Sequence, residues 1–137
     1  MREIKFRAKR TDNGAWVTGD LQHVQRINTK EQAEKSGRRS EPAVRIANYD
    51  VDEQTIGQFT ELKDKNDKEI YEGDILKYTS KYKSEYLKLV VFDEGAFCFR
   101  HPDSTITTPL SSHLWHIYTV IGNIHDNPEL FTTEKEQ

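Results

Sequence analysis

The sequence predicts a mainly β fold, in which a small SH3-like, barrel-like core follows an N-terminal β-hairpin. Apolar residues recur at every second position in several short runs, which is the period of a half-buried strand. Turn signals built from Gly, Asn and Asp separate these runs about every ten residues. Gly73-Asp74-Ile75-Leu76-Lys77 has the pattern that often opens the first strand of SH3-like barrels. A β-dominated α+β fold is the alternative, because short helical turns fit in some of the connections.

The N-terminal hairpin is predicted over residues 2–25. Its first strand has a charged face and an apolar face, and the apolar face consists of Ile4, Phe6 and Ala8. Asn13-Gly14 is the strongest short signal for a hairpin turn, and Trp16-Val17 begins the return strand. The apolar face needs a surface to pack against.

Residues 26–42 are predicted to be a flexible insertion. Lys30 to Lys35 fits one or two helical turns, with Thr29 as the N-cap and Gly37 as the stop signal. Residues 36–42 predict a mobile loop, since no large apolar side chain anchors them.

The β core is predicted over residues 55–127. Its first hairpin has Asn66-Asp67 at the tip, in the type I′ turn that prefers Asn-Gly. Gly73 then permits a positive φ, and Asp74 is expected to cap the turn with its carboxylate. Further strands are predicted over residues 43–49, 75–79, 87–92, 97–101 and 114–121. The connections include a turn capped by Asp50 or Asp52, a loop at 77–86, a tight turn at 93–96, a loop at 103–112, a helical turn from Pro128 and a frayed tail at 132–137.

Three blocks of the sequence resemble the YopX family of bacteriophage and prophage proteins. They are Met1–Ala8 at the start, Thr55–Thr60 with Lys68–Ile75 in the middle, and Gly122–Leu130 near the end. The resemblance covers nearly the whole chain and implies a phage-type origin, but it implies no particular activity. Family members tend to carry Gly at the positions of Glu61 and Asp67, so the local turns are expected to differ there.

Composition describes one soluble domain of 137 residues with a small core. Apolar residues make up 34% of the chain and charged residues 31%, which fits a small β-barrel or an oligomer that completes its core between subunits. The lone Cys98 excludes an intrachain disulfide and is expected to be buried between Phe97 and Phe99. The first residues lack the apolar run of a signal peptide, and no stretch reaches the length of a membrane span. The expected location is the cytoplasm of the bacterial host.

The charges divide unevenly along the chain. Residues 1–45 hold 11 Lys and Arg against 6 Asp and Glu, whereas residues 46–137 hold 9 against 17. Two solvated faces of one domain explain this asymmetry. The alternative is a nucleic-acid-binding module that uses the basic first third of the chain. Its candidate contacts are Arg7, Lys9, Arg10, Arg38 and Arg39.

Metal binding and catalysis find little support in the sequence. His113 and His116, with His125 and Asp126 further along, suggest a metal site, but a strand is favoured here and residues three apart on a strand face opposite sides, so His113 and His116 could not chelate one ion together. On a helix they could. Glu72 and Asp74 are explained as turn residues. Phosphate-binding loops, nucleophile elbows and cysteine pairs are absent from the sequence. We therefore expect no catalytic residue, metal or cofactor.

The predicted function is that of a non-enzymatic phage or prophage accessory protein. It is expected to act by binding or assembly, with a homo-oligomer and an unidentified phage or host protein as partners. Ile4, Phe6 and Trp16 are the candidate interface residues, and Leu114–Ile121 is the alternative interface. A small hydrolase is the third possibility.

Overall fold

The structure is a computed structural model, and it describes residues 3–102, 107–110 and 115–131. The backbone is mainly β, with antiparallel strand pairs, which confirms the predicted fold class. Its contacts fall into two compact units: residues 4–56 form one, and residues 57–137 with the first three residues form the other. The predicted tail at 132–137 lies outside the described residues.

The unit at 4–56 begins with the predicted hairpin. Strand β1 pairs with β2 around a loop in which Gly14 has a φ of 74°. The elements of this unit are β1 (Phe6–Lys9), β2 (Trp16–Gly19), β3 (Leu21–Ile27), α1 (Lys30–Ser36), β4 (Ser40–Ile46), β5 (Tyr49–Asp50) and a 3-10 helix (Glu53–Thr55). Strands β3, β4 and β5 form a three-stranded sheet in that order.

The apolar face of β1 packs inside its own unit. Ala8 is fully buried with Val44, Ile46 and Val51, and Phe6 packs against this cluster. These contacts within one chain provide the surface that this face requires.

Helix α1 has the predicted caps. The Thr29 side chain accepts a hydrogen bond from the Gln32 N–H, and the Gln32 side chain accepts one from the Thr29 N–H. Gly37 ends the helix in the left-handed conformation, with a φ of 76°. Asp52, one of the two predicted caps, accepts a hydrogen bond from the Gln54 N–H at the start of the 3-10 helix.

Two predictions in this unit were wrong. Residues 40–42 belong to β4 instead of the predicted loop. The Asn28 N–H donates to the Arg39 carbonyl, and the hydrogen bonds between β3 and β4 alternate from that pair. In this alternation the nitrogen of Pro42 points away from β3, so the missing N–H of proline breaks no hydrogen bond between the two strands. The predicted strand at 43–49 is broken by a two-residue turn, in which Ala47 and Asn48 have φ angles of 53° and 67°.

The unit at 57–137 contains the SH3-like part of the fold. Strands β6 (Gly57–Lys63) and β7 (Glu69–Tyr71) form the predicted hairpin. A five-stranded sheet follows, made of β8 (Asp74–Thr79), β9 (Glu85–Asp93), β10 (Ala96–Arg100), β11 (Thr107–Pro109) and β12 (Thr119–Asn123). Its order is β11-β10-β9-β8-β12, so the last strand returns beside the first, as in SH3-like barrels.

Both faces of the five-stranded sheet carry apolar clusters. One cluster contains Ile70, Leu76, Val90, Phe99, Leu110 and Tyr118. The other contains Ile75, Leu89 and Phe131, and Phe131 belongs to a 3-10 helix at Pro128–Phe131. Cys98 is buried in β10 as predicted.

Four further predictions in this unit were wrong. Within the predicted loop at 103–112, Thr107–Pro109 forms β11. The predicted loop at 77–86 is mostly strand, because β8 and β9 pair from Ile75 and Leu89 out to Thr79 and Glu85. In the predicted strand at 114–121, Trp115–Ile117 is a 3-10 helix and the strand begins at Thr119. The turn before β7 is not type I′, since Asp67 alone among residues 65–67 has a positive φ.

Candidate functional site

The structure separates the three predicted interface residues. Ile4 is 54% exposed, whereas Phe6 packs into the cluster of its own unit. Trp16 pairs with Lys9 across the hairpin, so it lies on the charged face of β1. Its ring centroid is 4.8 Å from the Arg7 guanidinium carbon and 5.6 Å from Lys9 Nζ. The apolar surface that these three residues could offer together is therefore small.

The five predicted nucleic-acid contacts have different surroundings. Arg7 and Lys9 flank Trp16. Arg10 donates two hydrogen bonds to Asp12, at 2.9 and 2.6 Å, and stacks 3.7 Å from the Tyr49 ring centroid. Arg38 and Arg39 are exposed after α1. The structure thus leaves Arg38 and Arg39 as the most accessible basic pair of this group.

Strand β3 forms one edge of the three-stranded sheet. Asn28 donates to the Arg39 carbonyl at 2.8 Å, which fixes the alternation of the ladder between β3 and β4. Gln22, Val24 and Arg26 consequently point their backbone groups toward β4. His23 and Gln25 point theirs outward, where the described part of the chain provides no backbone partner.

The side chains along this edge are mostly uncharged. Arg26 is the one charged residue of β3, and it is held on the sheet by Glu41 at 2.9 Å and Asp50 at 3.3 Å. Ile27, at the end of the strand, is 83% exposed. Edge strands of soluble proteins usually carry charges, prolines or bulges that block pairing with another strand. Strand β3 has little of this protection.

Two of the sequence blocks come together at the turn before β8. The Tyr71 N–H donates to the Asp74 carboxylate at 2.7 Å, which is the predicted cap, and Gly73 has a φ of 95°. The Ile124 N–H donates to the Gly73 carbonyl at 2.9 Å. The Asn123 side-chain oxygen accepts hydrogen bonds from the N–H groups of His125 and Asp126. Burial raises the pKa of Glu72. These hydrogen bonds show that the side chains of Asp74 and Asn123 cap the two turns.

The hairpin of β8 and β9 carries tyrosines and lysines. The rings of Tyr78 and Tyr86 stack at 6.0 Å, and Tyr78 also contacts Tyr118 at 5.8 Å. Burial raises the pKa of Tyr118. Lys88 is buried on the same face of the sheet, where its Nζ lies 2.6 Å from His101 Nε2. Burial lowers the pKa of the Lys88 amine, and none of the described carboxylates pairs with it.

In the described ranges 3–102, 107–110 and 115–131, no three His, Cys, Asp or Glu side chains lie close enough together to hold a metal ion. His113 lies outside these ranges. The described helices are all too short and too polar to cross a membrane.

Comparison with known proteins identifies the family. The family model described as YopX protein matches residues 5–132. The chain belongs to the YopX family. Among solved structures, this YopX chain is similar to protein EF1440 from Enterococcus faecalis, with 26% identity and a TM-score of 0.57. The match covers 96% of this chain and 99% of the other. None of the curated proteins matches.

The two positions at which this chain departs from the YopX pattern share one backbone feature. Glu61 has a φ of 74° and Asp67 a φ of 68°. Glycine reaches such angles without steric cost, so it would suit both positions better than Glu61 and Asp67 do. Glu61 lies where the register between β6 and β7 shifts, between Phe59 and Lys63.

Sequence reasoning missed two surfaces in this YopX chain. The open edge of β3 could not be predicted, because strand order depends on contacts distant in sequence. The tyrosine and lysine residues of 77–88 were visible in the sequence, but the segment was interpreted as a loop. Their alternation, with Tyr78 opposite Tyr86 and Lys77 diagonally across from Glu85, is the signal that could have identified a hairpin.

Proposed function

We propose that this YopX protein is a phage or prophage accessory protein that acts by binding, without catalysis, and works as a homo-oligomer. The open edge of β3 is the observation that carries the proposal. A second copy of the chain is the partner that this edge fits best.

The edge is self-complementary in an antiparallel arrangement. A two-fold axis at Val24 places His23 of one copy opposite Gln25 of the second, with both residues pointing their backbone groups outward. The same register places the exposed Ile27 beside Leu21 of the second copy. Four outward backbone groups per strand then find partners, and no like charges face each other.

The predicted interface at Ile4, Phe6 and Trp16 remains an alternative, with Ile4 as the residue that can test it. Phe6 already packs within the chain, so Phe6→Ala should lower stability whether or not the protein associates. Ile4 is exposed and is the cleaner probe of that alternative interface. Ile4→Ser should leave the β3-mediated oligomer intact.

Sedimentation velocity at micromolar concentration tests the proposal. The wild type is expected to sediment as an oligomer. The double variant His23→Lys/Ile27→Lys introduces charges along the edge and should raise the dissociation constant about ten-fold or more, since like charges then meet across the two-fold axis.

Thr18→Lys is the control, because it adds a lysine at an exposed strand position of the same unit, away from the edge of β3. This variant should associate like the wild type. A monomeric wild type contradicts homo-oligomerisation. An oligomer that survives the double variant places the interface elsewhere, and loss of that oligomer in Ile4→Ser would place it at the N terminus.

A further inference from the structure

The hairpin of β8 and β9 is a basic region in an acidic half of the chain. Residues 77–88 hold four of the nine basic residues found between positions 46 and 137, and only one of the seventeen acidic ones. That acidic residue, Glu85, is paired with Lys77 at 3.6 Å. Lys81 and Lys83 form no ion pair with a described residue and are exposed at the tip.

The tip is held in a defined conformation. The Ser80 N–H donates to the Ser84 carbonyl at 2.8 Å, and the Lys83 N–H donates to the Ser80 carbonyl at 2.9 Å. Ser80 Oγ also accepts hydrogen bonds from the N–H groups of Tyr82 and Ser84. These four hydrogen bonds fix the conformation of residues 81–83, which therefore do not need to be ordered by a ligand.

Aromatic rings are exposed between the lysines. Tyr82 is 78% exposed at the tip, with Lys81 Nζ 5.3 Å from its ring centroid. Tyr86 is 46% exposed, and its ring is supported on one side by the stacked ring of Tyr78. A group of exposed apolar side chains can mark a binding site, and here two tyrosine rings are exposed on one hairpin.

We infer that this hairpin binds single-stranded nucleic acid. Lysine ammonium groups attract the phosphates, and the faces of Tyr82 and Tyr86 accept unstacked bases, which is how proteins hold single strands without reading their sequence. A duplex hides the faces of its bases within the helix and could use only the lysines. An acidic protein surface would likewise use the lysines but would not need both ring faces.

The surface differs from the basic first third of the chain in its chemistry. Arg38 and Arg39 are exposed, but the two elements that flank them, α1 and β4, contain no aromatic residue. Variants of Arg38 and Arg39 therefore report on a general attraction for polyanions. Variants of the hairpin lysines and tyrosines report on binding that combines charge with stacking.

Fluorescence anisotropy with labelled oligothymidylate and oligouridylate of about 20 nucleotides tests the inference. The full-length protein is expected to bind both at about 20 mM salt and to lose affinity as salt rises. The two strands are compared because they distinguish DNA from RNA as the ligand. A duplex of the same length should bind more weakly than either single strand.

Four variants separate stacking from charge. Tyr82→Ala should weaken binding roughly ten-fold, whereas Tyr82→Phe should bind like the wild type, since stacking needs the ring and not the hydroxyl. Lys81→Gln/Lys83→Gln should flatten the slope of log affinity against log salt by about 1.4. Arg38→Gln/Arg39→Gln is the matched control and should leave both quantities unchanged. All these positions are exposed, so the thermal midpoint should not change.

Three outcomes would overturn the inference. Absence of binding at low salt removes it altogether. Binding that depends on Arg38 and Arg39, but not on the hairpin, moves the nucleic-acid surface to the first third of the chain. Binding that depends on the lysines but is the same in Tyr82→Ala and for a duplex shows a general polyanion surface without stacking.

Discussion

Six non-glycine residues in the described part of the chain have positive φ angles: Ala47, Asn48, Glu61, Asp67, Lys83 and Glu94. Two of them occupy equivalent places in two similar turns. The turn at Asp64–Lys68 and the turn at Ser80–Ser84 each close with a hydrogen bond between the first and fifth residues, and each has its fourth residue at positive φ. A side chain in this conformation costs energy that glycine would not incur.

Asp67→Gly should therefore stabilise the protein. Asp67 forms a distant ion pair with Lys63 at 3.9 Å, and both side chains are exposed, so its loss should cost almost nothing. Relief of the positive φ should outweigh the extra freedom that glycine gives to the unfolded chain, for a net gain of about 0.5 kcal/mol. Urea unfolding measures this difference.

Asn66→Gly is the matched control, because Asn66 lies in the same turn without a positive φ. It should destabilise the protein by roughly the same amount, since only the unfolded state gains freedom. A loss of stability in Asp67→Gly would mean that the Asp67 carboxylate makes a contact that outweighs its backbone strain.

Asp64 should make stability depend on pH. Burial tends to raise its pKa, but the N–H groups of Val120, Lys68 and Asn66 donate to its carboxylate and together lower the pKa. A carboxyl group with a lowered folded-state pKa adds stability above its unfolded pKa of about 4. That contribution is lost as the pH falls through the folded value.

Asp64→Asn is expected to cost about 1–3 kcal/mol at neutral pH, because an amide cannot accept at both of the former oxygen positions. The difference from the wild type should shrink as the pH falls below about 4, because the carboxyl of the unfolded chain takes up a proton first and that of the folded chain follows at a lower pH. Urea unfolding from pH 7 down to acid pH measures both curves. A difference that is constant over this range would contradict the assignment.

At the scale of elements, the sequence predicts strands well where the apolar alternation is local. It predicts β1, β10 and the first part of β8 because their buried apolar residues lie close together in the sequence. It is inconsistent at residues 77–79, which fall in both a predicted strand and a predicted loop, and it fails at residues 85–86; both segments belong to strands that extend beyond the core. These residues are held by cross-strand partners, the stacked Tyr78 and Tyr86 and the ion pair of Lys77 with Glu85, which local pattern does not reveal.

Gly57 is the most demanding glycine among the elements. A Cβ at this position would overlap the Glu72 carbonyl oxygen, and Glu72 also donates its N–H to Gln58 at 3.0 Å. Gly57→Ala must therefore push the turn after β7 away from β6. We expect a loss of about 2 kcal/mol or more in the free energy of unfolding.

Gly95→Ala provides the comparison, since a Cβ at Gly95 meets no atom within 4 Å and the cost there is only that of its φ of 84°. This variant should lose about 1 kcal/mol. Equal losses in the two variants would show that the close approach of Gly57 to Glu72 contributes nothing.

At the scale of the whole molecule, the sequence indicates the SH3-like strand order through one short motif, Gly73 to Lys77. The order is confirmed by the return of β12 beside β8. The sequence does not indicate where the apolar face of β1 packs, because Val44, Ile46 and Val51 are distant in sequence from Ala8. For the same reason it points to Phe6 as an interface residue and misses the edge of β3.

Association through this edge has a signature at single residues. The amides of Gln22 and Val24 point toward β4 within one chain, whereas those of His23 and Gln25 point outward. The first pair should be protected from hydrogen exchange at every protein concentration. The second pair should become protected only when a second copy pairs with the strand.

Hydrogen exchange followed by NMR over a range of protein concentrations is therefore the most direct test of the proposed homo-oligomer. The account predicts that exchange of the His23 and Gln25 amides slows as concentration rises, while the Gln22 and Val24 amides stay slow throughout. If the His23 and Gln25 amides exchange at the same fast rate at all concentrations, the edge of β3 is not where this protein assembles.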